Sequence, residues 1–359
     1  MKWAIQNTAI YNMQINRIFK EYLVFILFPL ALFYWGLVYW RNLFYHFGFF
    51  VIRSLPCPVI SVGNISVGGT GKTPIVEHMS IYLQSKGIRV GIISRGYGRK
   101  TTGTVTVTDG KIKPTFWQDV GDEPFLLAHA LNNVPIVVDE LRYRGGMFLI
   151  KKFKPDIIIL DDGFQHRALH RDLDIVLINS KDTVRDQKLL PYGLLREPWY
   201  HLSRSDILIL TKTNIYKPQT FLIRKIKETR LPMIKNTTKL DKTLRSITNN
   251  KIPLKSIKNC KVYIFSAIGD PEGFIISLNQ TGMIICGNQI FPDHHTYNQM
   301  DIKKLEINAK RNGAEYLITT EKDLIKLGGF NTDIPVYAVK IRLKFYPESK
   351  LERYLQPFI

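Results

Sequence analysis

Residues 58–63 (PVISVG) are a short apolar run that predicts a buried strand. Residues 64–73 (NISVGGTGKT) follow as a glycine-rich turn, and a helical stretch opens at Pro74. Strand, glycine turn, Lys-Thr and helix in that order predict a nucleotide phosphate loop. The physical reason is specific. Gly68, Gly69 and Gly71 let successive backbone N–H groups turn inward around phosphate oxygens, and the helix N-terminus adds its partial positive charge. Ser66, Val67 and Thr70 complete the loop, with Ser66 standing where the GxxxxGK[ST] pattern has its first glycine. Lys72 is placed to reach the outer phosphates of a nucleotide, and the Thr73 hydroxyl to hold a Mg2+ ion. Pro74 falls in the first helical turn, where its missing N–H costs little. Lys72 is expected at a solvated loop-to-helix junction, so that folding survives its loss.

A phosphate loop needs an acidic element for the metal. Residues 156–160 (DIIIL) read as a buried strand ending in Asp161-Asp162, which delivers carboxylates at its C-terminal edge. Further strands are expected over 90–94, 134–138, 175–179 and 207–210, with helical segments between several of them. The fold class that follows is P-loop NTPase-like α/β, a doubly wound, mainly parallel sheet with its site at the strand C-termini. The C-terminal part reads as strand 262–266, helix 271–278, strand 283–291, helix 298–311, strand 315–320 and a short helix, together a smaller α/β lobe. A length of 359 residues suits two such units. The expected organisation is a membrane-associated helical segment over 1–53, a P-loop core over 54–211, a basic linker region over 212–261 and the lobe over 262–359.

The charge balance narrows the partners. Fifty Lys+Arg against 30 Asp+Glu gives +20, which calls for nucleic acid, an acidic membrane surface or a phosphorylated substrate. Residues 212–261 hold 14 Lys or Arg against two acids, Glu228 and Asp241, and so carry +12 of that excess. They contain no aromatic-interleaved RNA-binding motif, zinc finger or basic-zipper heptad, so nucleic acid ranks last. A solvated face and a face resting on anionic lipid both fit. Residues 22–40 (YLVFILFPLALFYWGLVYW) run for 19 residues without a formal charge, and aromatics continue through Phe50. Pro29 and Gly36 interrupt a simple spanning helix, and Trp and Tyr prefer the membrane–water interface. Helices lying in or dipping into one leaflet are therefore expected, with a true span or a buried core helix as the alternatives. Cys57, Cys260 and Cys286 form no ligand-type spacing, which predicts free thiols.

GTPases read guanine with Asn-Lys-x-Asp. The nearest counterpart, Thr211-Lys212-Thr213-Asn214, lacks both the Asn and the Asp, which argues against a guanine-specific switch. Four polar motifs follow strand ends: residues 95–99 (RGYGR), 121–124 (GDEP), 139–146 (DELRYRGG) and 163–167 (GFQHR). Residues 291–295 (FPDHH) lie beside a C-terminal strand. From these residues alone Asp122 is either a catalytic carboxylate or a helix N-cap, and His294 either a catalytic partner or an exposed loop residue. A membrane-associated P-loop ATPase or GTPase switch stands as the other class of function.

Through SVGNISVGGTGKTP, SRGYGR, GDEP, LDDGFQHR, LLPYGLLREP, FPDHH and TTEKD, over about residues 15–330, the sequence resembles the tetraacyldisaccharide 4'-kinase family. The resemblance implies ATP- and Mg2+-dependent phosphorylation of the 4'-hydroxyl of an acylated glucosamine disaccharide 1-phosphate, a lipid A precursor. It implies work at the cytoplasmic face of a Gram-negative inner membrane, with that lipid and the membrane surface as partners and no stable protein partner. By the same resemblance Asp122 is the catalytic base and His294 its partner, with His295 as a rival. Asp161 and Asp162 become the metal and nucleotide pair. Arg95 and Arg142 match basic positions near the lipid headgroup, where a cation suits the 1-phosphate. Gln165 and His166, beside the metal acids, take a substrate or supporting role. The small lobe is implied to join through a two-stranded linker, with a hinge between about 212 and 260 and ATP in the cleft.

Overall fold

The computed structural model describes residues 25–114, 116–248 and 250–359. Residues 1–24 lie outside it, and with them the first three residues of the apolar run. A helix over residues 25–46 (α1) precedes β1 (Val59–Asn64), α2 (Lys72–Ser85), β2 (Val90–Ser94), β3 (Val105–Thr108), α3 (Trp117–Val120), α4 (Asp122–Ala130) and β4 (Ile136–Val138). Then come α5 (Arg142–Phe153), β5 (Ile157–Asp161), β6 (Leu173–Asn179), β7 (Ile207–Thr211), α6 (Thr220–Glu228), β8 (Met233–Ser246) and β9 (Lys251–Pro253). The chain ends with β10 (Lys261–Ser266), α7 (Pro271–Asn279), β11 (Ile284–Ile290), α8 (Gln299–Arg311), β12 (Tyr316–Thr320), α9 (Glu321–Leu324), β13 (Val336–Tyr346) and α10 (Glu348–Leu355).

The strands near the phosphate loop are apolar on both faces, the signature of a parallel sheet covered by helices on each side. In β5, Ile157 and Ile159 face one cluster while Ile158 and Leu160 face another. In β7, Ile207 and Ile209 join the first cluster and Leu208 and Leu210 a third. Helices α2 and α4 cover the first side through Ile75, Met79, Leu83 and Leu127, while α5 and α6 cover the other through Leu149, Leu222 and Ile226. The described strands form one sheet in the order β11-β10-β12-β13-β8-β7-β6-β1-β5-β2-β4-β3, with β9 beside β8. It is mainly parallel; the β3–β4, β8–β9 and β8–β13 pairs are antiparallel.

The Lys-rich stretch differs from its sequence appearance. Much of it is the 14-residue strand β8, whose Ile234, Asn236 and Thr238 are buried while Lys235 and Lys239 are exposed. That alternation is a strand pattern, and β8 pairs with β13 from Lys235↔Tyr346 to Ser246↔Tyr337. The pair joins the two groups of parallel strands. Strand β3 and helix α10 were not expected from the sequence. The first is a short edge strand, and the second is seated by Leu351 and Leu355 in the main core.

Helix α1 rests on the core through a narrow stripe. Ala31, Val38 and Asn42 are buried at helical spacing, Tyr34 Oη donates to Arg196 O at 2.8 Å, and Arg41 pairs with Glu197 at 2.8 Å. Phe25, Ile26, Phe33, Leu37 and Trp40 face outward, with Phe33 68% exposed. Among the described residues no helix is long and apolar enough to cross a membrane.

Candidate active site

The phosphate loop is braced from two sides before any ligand is considered. Strand β1 is buried along its length and releases the chain at Asn64, whose side chain donates to Thr70 Oγ1 at 3.0 Å. The Asn64 carbonyl accepts from Gln165 Nε2 at 2.8 Å. On the other side Ser66 is buried and bridges to Leu195, Val67 N–H donates to Leu194 O, and Arg196 N–H donates to Ile65 O. The LLREP segment is thus a second rail for the loop. Gly71 takes φ +89° at the N-cap of α2, a left-handed turn that a side chain would strain, and the helix starts at Lys72 rather than Pro74. Residues 67–73, including Gly68, Gly69 and Thr73, line a cavity of about 870 Å³. Lys212 Nζ donates to the Gly69 carbonyl at 2.7 Å and pairs with Asp270.

Lys72 is not the solvated residue expected. It is 9% exposed, and its Nζ lies 3.4 Å from Asp162 Oδ1. The carboxylate supplies the counter-charge that lets the ammonium sit desolvated beside the loop.

The two acids at the end of β5 have different surroundings. Asp162, at φ +52°, accepts from Arg196 at 3.0 and 3.1 Å besides pairing with Lys72. Burial opposes its charge, but Lys72 and Arg196 hold its pKa below the ordinary value. Asp161 is wholly buried; Oδ2 accepts the Ser94 hydroxyl at 3.1 Å, and Oδ1 has no partner. Burial, with Glu123 and Asp162 nearby, pushes its carboxyl up to about 7. An orphaned buried carboxylate oxygen next to a phosphate loop fits a hard cation. Among the described residues no cluster of three or more His, Cys, Asp or Glu could hold a metal alone. That suits an ion which takes most of its shell from phosphate and water.

Gly121, at φ +93° and ψ 150°, delivers Asp122 as the first residue of α4. Gly121 occupies the N-cap, so Asp122 is free for other partners, and all of these come from the loop after β11 and the helical turns after β12. Its Oδ2 lies 2.8 Å from His294 Nδ1, 3.2 Å from Lys326 Nζ and 3.5 Å from Lys322 Nζ. His295, the rival, instead pairs with Asp301 at 2.9 Å and stacks on Phe291. Burial pushes the Asp122 carboxyl up, but the His294 hydrogen bond and the two lysines hold it well below the usual carboxylate range. A carboxylate kept ionised only accepts, so His294 Nδ1 donates in that bond, and Nε2 lies 3.4 Å from Lys322 Nζ. His294 lines the cavity, while Asp122, 3% exposed, stands behind it.

The third group is cationic. Arg142 is buried, its Nε without a partner and its Nη1 donating to Glu140 O at 3.0 Å. It lines the cavity with Arg95 and His166, and among the described residues neither arginine is within ion-pair distance of a carboxylate. Burial and Arg95 pull Arg142 down to about 10; burial, Arg142, Arg171 and Arg95 pull His166 down to about 4. Asp162, Asp161 and Asp139 oppose that pull from farther off, but none is in ion-pair contact with Arg142, and cations crowded this way form a socket for an anion. Gln165 lines the cavity as well, but its amide is committed to Asn64 O and Arg196. Lys322, Lys326, Glu123 and Arg196 received no role from the sequence. TTEKD contained Lys322, LLREP Arg196 and GDEP Glu123, while Lys326 lay outside every motif; only the fold shows what they touch.

The profile of the family described as Tetraacyldisaccharide-1-P 4'-kinase matches residues 23–359, so the similarity continues to the C-terminus. A tetraacyldisaccharide 4'-kinase of Aquifex aeolicus is 39% identical over 331 residues, covering 91% of this chain and 96% of that protein. One of Desulfotalea psychrophila is 35% identical over 327 residues, covering 90% and 93%. The crystal structure of "apo" form LpxK from Aquifex aeolicus in complex with ATP aligns with a TM-score of 0.76 at 38% identity, covering 92% of this chain and 98% of that one.

Proposed function

Because the chain belongs to the tetraacyldisaccharide-1-P 4'-kinase family, we infer that it moves the γ-phosphoryl group of ATP to the 4'-hydroxyl of an acylated glucosamine disaccharide 1-phosphate. The products are ADP and the bisphosphorylated lipid. The observation that carries this reading is one cavity lined by a phosphate loop, a histidine backed by a carboxylate and a cationic socket with no carboxylate in ion-pair contact. A hydrolytic switch needs neither of the last two.

Lys72 and the loop amides hold the β- and γ-phosphates of ATP. Thr73 Oγ1 and Asp161, with Asp162 behind Lys72, are the residues that would hold Mg2+, which when bound neutralises phosphate charge. The resemblance makes Asp122 the base, but Asp122 stands behind His294 and off the cavity, so the proton acceptor is assigned to His294: the 4'-hydroxyl lies against Nε2, which receives its proton as the new O–P bond forms. Asp122 fixes the ring tautomer and stabilises the charged imidazole, as the carboxylate does in His–Asp systems generally. Arg95, Arg142 and His166 bind an anionic group of the lipid headgroup, in keeping with a 1-phosphate. The test is direct: the protein, ATP, Mg2+ and a detergent-solubilised disaccharide 1-phosphate should yield a doubly phosphorylated lipid. ADP release that is independent of lipid would defeat the reading.

We further infer that the enzyme works as a membrane-associated protein at the cytoplasmic face of a bacterial inner membrane. The outward apolar face of α1 supports this, since a basic chain with such a face binds anionic interfaces. Changing Phe33 and Leu37, one helical turn apart and 68% and 55% exposed, to Glu together should reduce vesicle binding by at least about tenfold. ATP affinity should not change, because neither side chain faces the phosphate loop. Vesicle sedimentation at high salt is the measurement; retained binding would move the anchor elsewhere. These point changes are cleaner than deleting residues 1–53, which would also strip Arg41 and Asn42 from the buried Glu197.

A further inference from the structure

We propose that Lys322 is a lysine finger, a cation on the helix after β12 that contacts the transferring γ-phosphoryl group and otherwise rests on the Asp122–His294 pair. This rests on the kinase reading above. Lys322 is the second residue of α9, directly after β12, and its ammonium reaches across to α4. It lies 3.4 Å from Asp293, 3.4 Å from His294 Nε2, 3.5 Å from Asp122 and 4.0 Å from Glu123. An ammonium locked to one carboxylate sits at about 2.8 Å. Lys322 is shared among several groups and locked to none. Lys326, one turn later, is the contrast: its side chain is wholly buried, 3.2 Å from Asp122, and it also donates to His295 O. Lys326 is the fixed counter-ion, and Lys322, which lines the cavity, is the movable one.

The other lysines and Arg196 along the cavity each serve a single carboxylate. Lys72, at 3.4 Å, and Arg196 serve Asp162, and Lys212 serves Asp270 together with the Gly69 carbonyl. Reaction geometry then places Lys322. The proton acceptor must hydrogen-bond the attacking hydroxyl, and that oxygen must approach phosphorus in line, so the γ-phosphoryl oxygens lie within about 6 Å of His294 Nε2. Lys322 Nζ is already 3.4 Å from that nitrogen, and its stem is flexible enough to cover the difference. Movement onto the phosphoryl group does two things. It places charge where negative charge develops, and it uncovers the His294 Nε2 lone pair for the hydroxyl proton. In the step itself the sugar oxygen forms its bond to γ-phosphorus as the β,γ-bridging P–O bond breaks. The hydroxyl proton goes to His294, ADP leaves with the bridging electron pair, and Lys322 changes no covalent bond.

The test compares wild type, Lys322→Met and Lys322→Arg in three measurements: product formation with ATP and the solubilised lipid, calorimetric binding of ATP and ADP, and thermal melting. Lys322→Met should lower kcat by about 10²-fold or more, erase the affinity advantage of ATP over ADP, and leave ADP affinity and Tm near wild type. Lys322→Arg should recover part of both losses. A lysine that merely ties α9 to α4 gives the opposite pattern: lower Tm and weaker ADP binding, with kcat at saturation and the ATP preference kept. That result overturns the finger. If wild type forms no product, the kinase reading fails by itself, and the ATP-over-ADP preference of Lys322→Met still decides whether Lys322 meets the γ-phosphate.

Discussion

Lys72→Ala is expected to lower kcat by about 10³-fold, because it removes the cation that stays on the outer phosphates while charge redistributes. The structure changes what should accompany that loss. Lys72 is buried against Asp162, so its removal touches stability as well as chemistry. Asp162 keeps Arg196 at 3.0 Å, and the cost should therefore stay near about 1 kcal/mol, the usual worth of one contact in a shared ion pair. Lys72→Met separates the two effects. It retains the apolar stem in its buried slot and deletes only the charge, so melting should recover part-way while turnover does not. Initial rates at saturating ATP and lipid, read beside a melting curve for each variant, make the comparison. Near wild-type turnover in either variant would sink the phosphate-loop assignment.

The contrast between Lys72 as expected and as found shows what a sequence can carry. The loop, the strand before it and the acids at the end of β5 were legible because each is a local pattern whose physics is complete within about ten residues. Strand periodicity was legible for the same reason, and the predicted strands mostly agree with β1, β2, β5, β6, β7 and β10 to within one or two residues. Burial at the site was not legible, because it depends on what arrives from elsewhere. Lys72 is dry because Asp162 stands against it, and Asp162 is aimed by a positive φ that no local rule demands of an aspartate. Strand β8 was hidden by its lysines: its outward positions are charged, and its inward ones, Asn236 and Thr238, are polar groups that lie buried beside β13. Lys326 was the least legible of all. Nothing in its surroundings in the sequence indicates that it would be buried 3.2 Å from a carboxylate about 200 residues earlier.

Asp122→Asn and His294→Ala should each lower kcat by roughly 10²–10⁴-fold, the range expected of general acid–base catalysis, with much smaller effects on ATP affinity. The geometry sharpens the reason. His294 faces the cavity and Asp122 lies behind it, so His294→Ala removes the proton acceptor itself. Asp122→Asn leaves the acceptor in place but replaces an ionised carboxylate with a neutral amide. The amide oxygen still accepts from Nδ1, yet it cannot stabilise the charged ring that forms when the proton arrives. It also leaves Lys326, wholly buried, without its carboxylate, and Asp122→Asn should for that reason melt below wild type whereas His294→Ala should not. A capping role for Asp122 predicts neither outcome, since Asn caps as well as Asp and Gly121 already fills that position. Because the two residues act as one proton-accepting unit, their losses should not multiply. The double variant should be only slightly slower than the slower single one. kcat for wild type, both singles and the double, at saturating ATP and lipid, decides the matter. Should the losses multiply, the pair is not a unit, and the base is to be sought at Asp161 or Asp162, with His294 reduced to a contact between α4 and the loop after β11.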